Sequence, residues 1–113
     1  MEPPERELAE LAEVFDSGDI QAIRDRFDNP RRIRQRLTRY APRVFLFPFD
    51  APPDTNIPIQ VFINGLMVWM GVEVELVKVG KVRPRLVIVT DRELHEDEIV
   101  QVTYTVLPVL SKG

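Results

Sequence analysis

The sequence predicts an α+β protein in which short N-terminal helices, over about residues 3–16, 20–27 and 30–40, pack on or extend from an antiparallel β-sandwich or small barrel of five to six strands. Three observations predict this. Apolar residues follow helical spacing through the first forty positions, the period changes to two from Val44 onward, and Asn64-Gly65 separates two apolar runs as a tight hairpin would. The 113 residues suit one compact unit, read as a helical N-terminal assembly region over 1–43 followed by an antiparallel β-domain over 44–113.

In the first helix Leu8, Leu11, Ala12 and Phe15 keep the i, i+3, i+4, i+7 spacing of one face. Pro3, Pro4 and the early glutamates suit a first turn, where amide protons lack partners and the dipole favours negative charge. Ser17-Gly18 ends it, and Asp19 caps a second helix carrying Ile20, Ile23 and Phe27. Asn29 and Pro30 then introduce a third, in which Ile33, Leu37 and Tyr40 align and Arg31, Arg32, Arg34, Arg36 and Arg39 are spread around the rest.

Past Pro42, Phe45, Phe47 and Phe49 alternate, and Pro48 points to an edge strand because proline donates no ladder hydrogen bond. Ile57, Ile59, Val61 and Ile63 alternate up to Asn64-Gly65, and Leu66 to Met70 runs back. A type I′ turn needs positive φ at both central positions, which Asn-Gly supplies. Val72, Val74 and Leu76 then alternate before Val77 and Val79 switch parity, a pattern that predicts a bulge. Val82 to Thr90 reads as a strand interrupted by Pro84, and its run Leu86-Val87-Ile88-Val89 suits burial on both faces. The last strand alternates Val100, Val102, Tyr104 and Val106 with polar residues.

Composition narrows the chemistry. The absence of cysteine removes disulfides, thiolate metal sites and thiolate nucleophiles. The single histidine, His95, lies in an acidic stretch, Glu93 to Glu98, that lacks the ligand spacing and glycine of an oxygen-ligand loop, so no metal is expected. No serine, threonine or lysine adjoins a histidine or sits in a glycine-bounded elbow, and the five glycines stand singly, so no phosphate-cradling loop is present. The expectation is therefore a protein without catalytic residues or a cofactor. No apolar run reaches the roughly 20 residues needed to cross a bilayer, and the first residues carry no signal-peptide pattern, which predicts a soluble chain with no membrane contact.

The net charge of −3 conceals segregation. Residues 1–19 hold seven acids and one base, residues 20–43 hold eight arginines and two acids, and residues 44–113 hold nine acids and six bases. The central block is where an anionic partner would dock. The arginines are expected to pair with the acidic first helix or with acids of a neighbouring subunit, phosphate contact being the rival use. Phe62, Met67 and Trp69 belong to a hairpin with more apolar surface than one sheet face needs, so a partner protein is expected to cover part of it.

The segment Val61-Phe62-Ile63-Asn64-Gly65-Leu66, then Gly71, then Asp97-Glu98-Ile99-Val100-Gln101-Val102-Thr103-Tyr104 resembles a small β-domain recurrent in tailed-bacteriophage virion proteins. There, a V-F-V-N-G-L strand enters a hairpin and a G-D-x-V-x-V-x-Y strand closes the unit. The match covers about residues 44–107, with Asp97-Glu98 in place of the glycine-aspartate pair and Val74 at a usually aromatic position. The resemblance implies a non-enzymatic structural protein of a virion: a head decoration, a head-tail joint or a tail component. Its partners would be capsid, neck or tail proteins and further copies of itself. Its location would be the virion, and the host cytoplasm during assembly. An excess of arginine over lysine and the loop prolines suit a thermostable particle. Two rival readings are a nucleic-acid-binding regulator using the segment 30–40, and a carbohydrate-binding β-module stacking sugars on Trp69 and Tyr104.

Overall fold

The computed structural model describes residues 3–17, 31–48, 51–82 and 84–107. They form one helix, α1 (Glu5–Ser17), and eight strands: β1 (Arg31–Arg36), β2 (Thr38–Ala41), β3 (Val44–Leu46), β4 (Gln60–Ile63), β5 (Leu66–Val68), β6 (Val74–Val79), β7 (Arg85–Thr90) and β8 (Val100–Val106). The strands make two four-stranded sheets, ordered β1-β8-β4-β5 (sheet I) and β2-β3-β7-β6 (sheet II). All ladders between these strands are antiparallel. The fold is a mostly β form of the α+β class, with eight strands in place of five or six.

The first helix forms as expected, with Leu11 and Phe15 buried one turn apart. The expected helix over 20–27 and Phe49 lie outside the described residues.

The expected third helix is β-structure. Ile33, Leu37 and Tyr40 satisfy helical spacing, but Arg32, Arg34 and Arg36 equally alternate with Ile33, Gln35 and Leu37, and pairing with β8 decides between the two periods. Arg31 to Arg36 lie opposite Val106 to Gln101 in unbroken register. At Leu37, 5% exposed, the chain passes from sheet I to sheet II, and its amide donates to the Val100 carbonyl at 2.9 Å. The segment before residue 43 thus supplies a strand to each sheet, and the expected domain boundary falls in the turn of the paired β2-β3 hairpin.

Two clusters hold the fold. One joins Val61, Ile63, Val100, Val102, Tyr104 and Val106 of sheet I with Phe45, Val74 and Ile88 of sheet II, together with Leu37, Phe47 and Leu94. The other joins Leu11 and Phe15 of α1 with Val44, Val79, Val87 and Val89 of sheet II. Neighbours such as Val44 and Phe45, or Val87 and Ile88, belong to different clusters because successive strand residues point to opposite faces. Sheet II therefore has the shared cluster on one face and α1 on the other. This matches the two-sided burial expected of the Leu86 to Val89 run at Val87, Ile88 and Val89, while Leu86 is only partly buried.

The same arrangement corrects two expectations. The β6-β7 register runs regularly from Val74 opposite Thr90 to Val79 opposite Arg85, so the parity switch is no bulge. Val74 and Leu76 face the shared cluster, while Val77 and Val79 face α1. The register shift lies instead in β2, between Arg39 and Ala41. Pro48 does not mark an edge strand, because β3 stops at Leu46 and lies between β2 and β7. Phe47 keeps the parity of Phe45 beyond the strand end and enters the same cluster.

Candidate functional site

The turn between β4 and β5 fixes one corner of sheet I. Asn64 and Gly65 have φ of 53° and 85°, the left-handed values expected of them. Asn64 does more than turn the chain. Its amide donates to the Ile99 carbonyl and its side-chain oxygen accepts the Ile99 amide, both at 2.9 Å. Its side-chain nitrogen reaches Glu98 at 3.4 Å. Glu98 in turn accepts two hydrogen bonds from the Arg92 guanidinium, at 2.9 and 3.1 Å, and one from the His95 amide at 2.8 Å. The acidic connection is thereby stapled to the hairpin, a role the spacing of Asn64 and Glu98 does not disclose.

Arg92, and after it the His95 amide, hold the Glu98 carboxyl at about 2, below its ordinary 4.5. A carboxyl lowered in the folded state adds stability that is complete above its unfolded value and is lost as pH falls toward the folded one. Thermal stability is therefore expected to fall between pH 4.5 and about 2. A Glu98→Gln variant should melt lower at neutral pH and show a flatter decline across that window, as measured by melting temperature against pH.

The outward face of sheet I carries the basic candidates. Arg32, Arg34 and Arg36 recur every second residue, so they form one row with a spacing of about 7 Å. Register places Arg34 opposite Thr103 and Arg36 opposite Gln101, while Gln101 lies opposite Phe62 and Phe62 opposite Met67. One row across four strands thus runs from Arg36 to Met67. The Arg34 guanidinium sits 4.4 Å from the Phe62 ring centroid and donates to Gln101 at 3.4 Å. Arg32 donates to the Pro58 carbonyl at 3.2 Å and to the Thr105 hydroxyl at 3.3 Å. These contacts orient the cations without neutralising them. Among the described residues no carboxylate forms an ion pair with Arg32, Arg34, Arg36 or Arg39. The expected distribution around a helix is thus replaced by a single stripe. Of Arg31 the structure gives only its register, opposite Val106.

Arg39 departs from the group. Its guanidinium donates to the Leu94 and His95 carbonyls at 2.6 and 2.8 Å and lies 5.9 Å from the Phe45 ring, tying β2 to the acidic connection. Nor does α1 meet the stripe. Its acids lie on the side of sheet II, where Glu10 and Glu7, after burial, raise the Tyr40 hydroxyl pKa.

At the opposite end of sheet I, β5 is an edge strand. Leu66, Met67, Trp69, Met70 and Val72 are exposed there, Leu66 by 73% and Trp69 by 66%. The segment after β5 is held in place: Glu73 accepts the Trp69 amide at 2.7 Å, and Gly71, with φ of 89°, donates to Val74 at 2.6 Å. Phe62 is only half-buried beneath Arg34. The structure thus brings Arg32, Arg34, Arg36, Phe62 and Met67 onto one face with Trp69 beyond its edge, and sends Arg39 elsewhere. Sequence reasoning missed Gln60, Gln101 and Thr103 as members of this face, although the polar alternation in β8 carried that signal.

A shallow groove of about 180 Å³ lies between the start of α1 and the β2-β3 turn, lined by Pro4, Glu7, Ala41, Pro42, Arg43 and Glu93. It brings together carboxylates and an arginine but no nucleophile. Among the described residues no group of three or more potential metal ligands converges, and no helix is long and apolar enough to cross a membrane. Tyr104 is wholly buried, which removes one of the two expected sugar-stacking platforms. Compared with known proteins, the chain matches no family model, no curated protein and no solved structure.

Proposed function

We propose that this chain is a non-enzymatic assembly protein that works through protein-protein contacts, built as a β-sandwich with α1 on one outer face. The single observation that carries this reading is the outward surface of sheet I. A row of cations with no ion-pairing carboxylate among the described residues adjoins an exposed apolar edge there. Exposed apolar groups next to oriented polar ones are the composition of an interface. The resemblance of residues 44–107 supports a tailed-phage virion as the setting, with capsid, neck or tail proteins as partners. Purified chain is expected to co-sediment with such a protein, and mass spectrometry of particles should find it. A chain that binds none of them and is missing from particles would end this reading.

The stripe also favours a second reading, phosphate contact by Arg32, Arg34 and Arg36, more than a helix with scattered arginines did. It predicts nucleic-acid affinity that falls steeply with salt and is weakened by Arg32→Ala combined with Arg36→Ala. Absence of binding at low salt would remove it.

A further inference from the structure

We propose that the partner of the arginine face is the α1 helix of a second copy of this chain, so that copies join head to tail. This rests on the assembly reading and names the surface it uses. The sequence has an acidic block and a basic block that would neutralise each other; Arg43 of the basic block lines the groove beside Glu7, but the fold keeps the row Arg32, Arg34 and Arg36 apart from α1. Arg32, Arg34 and Arg36 stand on the outward face of sheet I, whereas α1 packs on sheet II through Leu11 and Phe15. Within one molecule the two cannot meet.

The exposed side of α1 offers the complementary chemistry. Arg6, Glu10 and Glu13 share it with Ala9 and Val14, the latter 37% exposed, and the Arg6-Glu10 contact is a loose 3.9 Å pair between exposed groups. Glu10 and Glu13 match the arginine row in charge, and Val14 matches Phe62 and Met67 in polarity. A polyanion would meet the same row but would also approach a chain of net charge −3. Because the two surfaces differ and lie on different sides, the contact is heterologous, and repetition gives a ring or an open chain.

The test is sedimentation velocity of the full chain at low and high salt, with two charge-reversed variants. Wild type should form species larger than the monomer at low salt and lose them at high salt, as screening weakens the contact. Arg34→Glu with Arg36→Glu, and separately Glu10→Arg with Glu13→Arg, should each be monomeric, because each then opposes like charges. An equimolar mixture of the two should regain the larger species, since every junction is again between opposite charges. Arg36→Glu alone, at a side chain with no described contact, guards against misfolding of the double variant and should weaken association. Wild type that stays monomeric at low salt overturns the proposal, as does a folded pair of variants that fails to reassociate on mixing. If that monomer still binds a virion protein, only the head-to-tail contact is lost, and if it binds none, the assembly reading falls with it. A monomer that instead retards a short DNA duplex through Arg34 and Arg36 assigns the face to phosphate and also overturns the proposal.

Discussion

Tyr104→Ala is expected to destabilise the fold by about 3–5 kcal/mol, against a total of roughly 5–15 kcal/mol for a domain of this kind. Among the described residues Tyr104 is the largest fully buried side chain, and it lies in β8, which is paired on both sides, with β1 and with β4. Its ring meets Phe47 edge-on, with centroids 5.1 Å apart and planes at 76°. Its hydroxyl donates to the Ala51 carbonyl at 2.7 Å, tying the 51–56 loop to the sheet. Truncation leaves a cavity between the sheets and an orphaned acceptor at Ala51. Tyr104→Phe isolates the hydroxyl and should cost about 1 kcal/mol. Denaturant unfolding of both variants measures the difference. Equal losses in the two would mean that ring packing contributes little.

Phe15→Ala is expected to cost about 3–5 kcal/mol and to release α1. Leu11 and Phe15 are the buried helix residues in the cluster with Val44, Val79, Val87 and Val89, and Leu8 and Ala12 pack against it. A helix of 13 residues is marginal in isolation, so its stability comes from this docking. The Asp16 carboxylate adds a tie, accepting the amides of Lys81 and Val82 at 2.8–3.1 Å and joining the helix end to the β6-β7 turn. Loss of the Phe15 ring leaves Leu11 as the one fully buried helix anchor among the described residues, and the helix is expected to detach more readily. Far-ultraviolet circular dichroism should show helical signal lost at a lower temperature than the sheet signal. A single transition shifted by less than about 1 kcal/mol would contradict the assigned packing.

These two sites also mark what could be read from residues alone. The spacing of Leu11 and Phe15, the alternation Val100, Val102, Tyr104 and Val106, and the Asn64-Gly65 reversal are local patterns with one physical reading, and each appears as expected, as does the two-sided run Leu86 to Val89 except at the partly buried Leu86. Residues 31–41 carry two readings, because Ile33 and Leu37 are four apart and alternate with arginines as well. Only β8, some seventy residues away, selects between them. The parity switch at Val77 failed for a related reason. An outward valine looks like a bulge until a helix is known to cover that face of the sheet. The candidate surface inherits this limit. Its apolar edge was legible in Met67 and Trp69, whereas the arginine stripe exists only once β1 is a strand.

That conversion of scattered arginines into one outward row supports both the proposed function and the proposed self-contact. Nuclear Overhauser spectra of the backbone protons over Arg31–Arg36 test it most directly. Cross-strand contacts between Ile33 and Tyr104 and between Gln35 and Val102 are the predicted result, following their register in the sheet. Sequential amide-amide and i to i+3 contacts running through residues 31–40 would mean a helix, and would contradict the account.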